Sequence, residues 1–159
     1  LTFQLSKRSL KRLEGVDSRL VEITKRAIEF TDIDFGVTEG LRSLSKQKKL
    51  VEAKASKTLE SKHLDGRAVD VVAYLGTRIS WELPLYDNIA DAMKRAAIEF
   101  NESATDANKV AIRWGAAWTV SDICKWNGTM EEAMNSYIDV RRSQGRRPFI
   151  DAPHFELMG

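Results

Sequence analysis

The chain has 159 residues, enough for one domain with a proper core and no disulfide staples. Its 25 basic and 23 acidic residues nearly cancel to +2, which gives no electrostatic case for a nucleic acid partner. A single cysteine, Cys124, excludes an intrachain disulfide and a Cys-x-x-Cys metal site, and no apolar run approaches the roughly 18 residues of a membrane span.

In chain order, Ser6 is suited to cap a short helix that runs through Leu13 and stops at Gly15. Lys7, Arg8, Lys11 and Arg12 make this helix basic, as a solvated face would be. A second helix follows Asp17. Its stripe of Val16, Leu20, Ile23, Ala27 and Phe30 has helical spacing and reads as core packing. Ile33, Phe35 and Val37 alternate with Asp34, Gly36 and Thr38, as in a half-exposed strand that delivers the chain to Gly40 and Arg42. Residues 44–55 read as a lysine-rich helix, and 56–62 as a polar connection.

The stretch from Ser61 to Asp70 holds His63, one of two histidines in the chain. Asp65-Gly66 is turn chemistry, and Val69, Val71 and Val72 mark a strand over 68–74. Alternation puts Ala68, Asp70 and Val72 on one face of that strand. A carboxylate there needs compensation, and a metal ion is one form of it.

Residues 75–78 read as a turn into a brief strand over 79–81. Pro84 opens a helix to about Asn101, striped by Leu85, Ile89, Met93, Ala96 and Phe100. Residues 101–108 read as a polar loop. A strand over 110–114 ends at Gly115, and the aromatic stretch 116–128 has no clear period. Thr129-x-x-Glu132 is a capping box for a helix through Val140. Residues 141–147, with four arginines, read as an exposed loop. The second histidine, His154, opens a last strand to Met158. Helices and short strands that do not alternate regularly imply an α+β fold: one domain over 1–159, with a small, mainly antiparallel sheet carrying the site and packed against helices.

Two histidines and an aspartate are a common three-ligand set for zinc, with the fourth position left for water. His63, Asp70 and His154 are the candidate ligands. A hydrolytic site also needs a base, and Asp151 is the candidate, ionised at neutral pH.

Ser61-x-His63-x-x-Gly66-x-Ala68-x-Asp70 and Asp151-x-x-His154 together resemble the two zinc motifs of the D-alanyl-D-alanine carboxypeptidase and dipeptidase family. Within it the chain most resembles phage endolysins that act as L-alanyl-D-glutamate peptidases. It shares with them Gly40-Leu41-Arg42 and Arg113-Trp114-Gly115-Ala116-Ala117-Trp118. The resemblance implies a zinc peptidase that cuts the peptidoglycan stem peptide and lyses bacteria, with zinc as cofactor and Asp151 as base. It gives Arg42 the role of contacting the substrate carbonyl oxygen. Ser61 is a supporting or substrate-contacting residue, Gln47 a candidate for the same rim, and Trp118 a pocket wall. Glu156 is placed to orient a histidine or to face solvent. The rival readings are a D-alanyl-D-alanine carboxypeptidase or dipeptidase and a non-catalytic zinc-containing binding module. The expected protein is a monomer whose partner is peptidoglycan. Residues 1–9 lack the apolar run of a signal peptide, as suits an enzyme held in the host cytoplasm until it is released to the wall.

Overall fold

Strand alternation decides which side of the sheet is core and which carries chemistry. The computed structural model describes residues 2–54 and 61–159. Its strands are β1 (Asp34–Glu39), β2 (Ala68–Leu75), β3 (Arg78–Ser80), β4 (Ile112–Trp114) and β5 (His154–Leu157). The order is β1-β2-β5-β4, with β3 added alongside β2, and every pairing is antiparallel. Phe35, Val37, Val69, Val71, Ala73, Ile112, Trp114, Phe155 and Leu157 alternate into the core cluster. The residues between them, among them Asp70, Arg113, His154 and Glu156, belong to the opposite face.

The helices are α1 (Lys7–Arg12), α2 (Ser18–Phe30), α3 (Leu44–Glu52), α4 (Leu83–Ser103) and α5 (Met130–Ser143). Leu20, Ile23 and Ala27 of α2, Ile89, Met93 and Ala96 of α4, and Met130, Ala133 and Tyr137 of α5 complete the core. Fully burying one such aliphatic side chain is worth about 1.5–3 kcal/mol, so these stripes dominate the stability of the fold. Ser6, Asp17, Ser43 and Thr129 each cap their helix through the side chain, and Thr129 with Glu132 forms the expected capping box.

The α+β architecture agrees with the sequence reading, and several boundaries differ. The strand over Ile33–Val37 is less exposed than its alternation suggests, because Gly36 is also buried, under Ser9 and Tyr74. The outer edge of β1 is closed by α1: Val37 N–H donates to Ser9 Oγ (2.9 Å) and Arg12 Nη1 donates to Val37 O (3.1 Å). Arg12 is therefore tied to the sheet, while it stays exposed on the basic face with Lys7, Arg8 and Lys11. α5 runs past Val140 to Ser143, with Arg141 and Arg142 in its last turn, where cations suit the carbonyl end of a helix. α4 likewise reaches Ser103, and short 3-10 turns stand at Asp106–Asn108 and Ile123–Lys125. Helix α3 is described to Glu52; the expected end at Ala55 and residues 56–60 of the expected connection lie outside the described residues.

Candidate metal centre and its surroundings

Three segments meet on the open face of the sheet. The first is a single 3-10 turn, Lys62–Asp65, where the sequence suggested only a loop. Ser61 caps it, accepting from His63 N–H at 3.2 Å, and Gly66 ends it at a φ of +67°, where an L side chain is strained. A Cβ on Gly66 would also stand 2.3 Å from the Gly15 carbonyl oxygen. The turn is fastened to the Gly40 loop twice: Arg42 N–H donates to His63 O (2.9 Å), and His63 Nδ1 donates to Gly40 O (2.8 Å). That second bond aims Nε2 of the buried His63 at Asp70, 3.2 Å from Oδ1.

Asp70 and His154 face one another directly across β2 and β5. His154 Nδ1 donates to Asp70 Oδ1 (3.0 Å), and His154 Nε2 donates to Glu156 Oε1 (2.8 Å). The two imidazoles meet edge-on, with ring centres 5.1 Å apart. One donor atom from each of His63, Asp70 and His154 lies within 4.8 Å of the others, a grouping that can hold a metal ion.

The electrostatics fit a cation. His63 Nε2 is buried and makes no hydrogen bond despite its approach to Asp70. With the ring proton on Nδ1, Nε2 presents a lone pair to a carboxylate that accepts only, and a cation between them satisfies both. Burial alone would raise the pKa of Asp70, but the hydrogen bond from His154 and the close approach of His63 outweigh it and hold the carboxyl far below the ordinary carboxylate range. Burial would lower that of His154, but hydrogen bonds to Asp70 and Glu156 push it up to about 9. Without a cation His154 carries a proton on each nitrogen; a metal ion held by this cluster would take the place of the one on Nδ1.

The other sequence-predicted residues lie around this cluster. Arg42 is buried, and its guanidinium donates from Nε (2.9 Å) and Nη2 (2.6 Å) to the Glu39 carboxylate and from Nη1 to Gln47 Oε1 (2.5 Å). Nη2 also stands 3.7 Å from Asp70 Oδ2. Gln47 thus holds the arginine. Ser61 supports His63 through its backbone. Trp118 packs at 5.7 Å on the His154 ring and at 6.2 Å on Phe149. Asp151 is half-buried beside the cluster: burial first, then the charge of Asp70, raises its pKa, while His154, His63 and Arg42 pull it down. Its loop is fixed from behind. Gly115 N–H donates to His154 O (2.8 Å), Asp151 N–H to Gly115 O (2.7 Å), and Trp114 Nε1 to Ala152 O (2.7 Å). A Cβ on Gly115 would stand 2.2 Å from Asp151 O, so only glycine lets the two backbones approach.

Sequence reasoning missed Glu39, which holds Arg42 and also pairs with Lys46 at 2.8 Å. A glutamate at a strand end carries no signal of its own. It also left Arg113 without a task, although Arg113 Nη2 donates to Glu156 Oε2 at 2.9 Å.

The model of the phage L-alanyl-D-glutamate peptidase family matches residues 1–158 of this chain. The chain belongs to that family. Among relatives of the family name is the L-alanyl-D-glutamate peptidase of Escherichia phage T5, 26% identical over 125 residues, which are 76% of this chain and 85% of the relative. The crystal structure of the Serratia marcescens L-Ala D-Glu endopeptidase ChiX is similar throughout. It superimposes with a TM-score of 0.70 at 32% identity, covering 99% of this chain and 91% of that one. The family assignment agrees with the resemblance carried by the two motifs around His63 and His154.

Proposed function

We propose that this protein is a zinc-dependent peptidase that hydrolyses the L-alanyl-D-glutamate bond of the peptidoglycan stem peptide. In this reading it acts as a monomer, after leaving the host cytoplasm for the cell wall, and brings about lysis. The observation that carries the reading is the convergence of His63 Nε2, Asp70 Oδ1 and His154 Nδ1 beside the half-buried carboxyl of Asp151. The family and the names of its relatives support the bond and the substrate.

Imidazole and carboxylate donors in this number suit zinc, and thiolates are absent from the set. When bound, zinc polarises a carbonyl and lowers the pKa of water from 15.7 toward about 7. The rest belongs to the chain. Asp151 takes the proton of the attacking water on its carboxylate as the new carbon–oxygen bond forms. It hands that proton to the amide nitrogen as the carbon–nitrogen bond breaks. Burial raises its pKa in the metal-free chain, and its place outside the donor set leaves the carboxylate free to accept a proton. Arg42 has five N–H donors. Glu39 and Gln47 take three of them, leaving one on each terminal nitrogen for the oxygen on which charge develops. Trp118 packs on the His154 ring and would bound the substrate on that side. A binding module would have no use for a base such as Asp151 beside the metal.

The test is digestion of purified peptidoglycan with metal-replete protein, followed by mass analysis of the fragments. New glutamate amino termini, with no D-alanine released, are the expected products. D-alanine as the main product would make the protein a carboxypeptidase of the wider family. Intact peptidoglycan after prolonged digestion would favour the binding module.

A further inference from the structure

On the open face of the sheet, the polar contacts extend beyond the metal cluster. Glu156 is 5% exposed, and both of its carboxylate oxygens are engaged. Oε1 accepts from His154 Nε2 at 2.8 Å, and Oε2 accepts from Arg113 Nη2 at 2.9 Å. Arg113 lies directly opposite Glu156 across β4 and β5, and its guanidinium lies 4.9 Å from the centre of the Trp118 ring. Trp118 in turn packs on His154, which closes a ring of four side chains: His154, Glu156, Arg113 and Trp118. On the other flank of β5, Ala68 stands opposite Glu156 and brings no competing polar group.

A carboxylate this deeply buried costs several kcal/mol to desolvate, and a whole ion pair such as Glu156 with Arg113 can often be replaced by apolar residues of similar volume at no loss of stability. Fold stability alone therefore gives little reason for Glu156. We infer that Glu156, held in place by Arg113, is a positioning residue for the metal. By accepting from Nε2 it fixes a proton there, turns Nδ1 of His154 toward Asp70 and His63 as the nitrogen that would exchange its proton for a metal, and strengthens His154 as a ligand. The inference rests on the metal reading proposed above. The physical basis is general: a carboxylate on the far nitrogen of a ligating histidine sets its tautomer and ring orientation.

The experiment measures zinc affinity by chelator competition and the protonated nitrogen of His154 by 15N NMR of the zinc-loaded protein. Glu156→Leu removes the acceptor. It should weaken zinc binding about 10–100-fold and mix the two tautomers of His154; the metal-free protein also loses some stability, because His154 and Arg113 lose their partner, so affinity is measured well below its melting temperature. Glu156→Gln keeps an acceptor for Nε2 and should restore the single tautomer and most of the affinity. Arg113→Met leaves Glu156 in place but unheld and should give a smaller loss in the same direction. It provides the reading should the leucine variant fail to fold. Wild-type affinity and a single Nε2-protonated tautomer in a folded Glu156→Leu protein would overturn the inference. So would unchanged affinity in Arg113→Met if the leucine variant does not fold. A wild-type protein that takes up no zinc would instead overturn the metal reading itself, so the two failures are distinct.

Discussion

At the scale of single residues, the separation between holding the metal and moving a proton is testable. His63, Asp70 and His154 offer the cluster's donor atoms, whereas Asp151 is outside that set. Asp151→Asn should keep its zinc, by elemental analysis, and lose about 10²–10⁴ in rate on peptidoglycan, the usual share of a general acid–base group. His154→Ala should lose zinc and activity together. Wild-type lysis by metal-replete Asp151→Asn would remove that residue from the mechanism. The three donor residues were legible in the sequence because two short motifs hold them and because the chain has only two histidines. Glu39, Gly40 and Arg113 were not legible in these roles. Glu39 meets Arg42 around a strand end, Gly40 contributes only its carbonyl, and Arg113 is defined by its register against Glu156. Register is a property of the assembled sheet, and no local pattern near Arg113 encodes it.

At the scale of elements, the loop that carries Asp151 is positioned by backbone contact more than by side chains. Gly115 is the point of closest approach. Gly115→Ala forces its Cβ against Asp151 O and His154 Cβ, and backbone cannot yield as a side-chain tip does. The expected cost is about 1–3 kcal/mol of stability, as for overpacking elsewhere, with weaker zinc binding because His154 moves with the loop. Gly76→Ala is the control. Its φ of +64° is equally unsuited to alanine, but nothing lies within 4 Å, so it should lose some stability and keep zinc and activity. Thermal melts and zinc titrations of both variants check this. The helices were legible from their stripes and caps, and α2 and the start of α5 fall where Asp17 and Thr129 place them. Their far ends were less so. Arg141 and Arg142 read as loop by composition, yet a cation-rich last turn is compatible with helix, and apolar period says nothing about residues that face solvent.

At the scale of the whole molecule, acid should stabilise the face opposite the site. Asp87 on α4 is buried, and burial together with the nearby Glu131 and Asp91 raises its pKa to about 6. An unfolded aspartate titrates near 3.9. Between these two values the folded chain holds a proton that the unfolded chain has lost, so stability falls as pH rises through that window and the cost is constant above it. Asp87→Asn should therefore stabilise the protein by about 1–2 kcal/mol at pH 7–8, and the difference should vanish below about pH 4. Melting curves across that range decide the point. The sheet itself has a kinetic consequence. Asp70 and His154 are 84 residues apart in sequence, and β5 fills the place between β2 and β4. Closing so long a loop is entropically slow, and it precedes any reward from the contacts it makes. Everything up to α5 can thus collapse around its own stripes while the two halves of the metal cluster are still apart. Hydrolytic competence then arrives in one late event, the docking of a four-residue strand. In refolding, the uptake of zinc should lag behind the formation of the helices, read by far-UV circular dichroism, and mark the moment at which the chain becomes an enzyme.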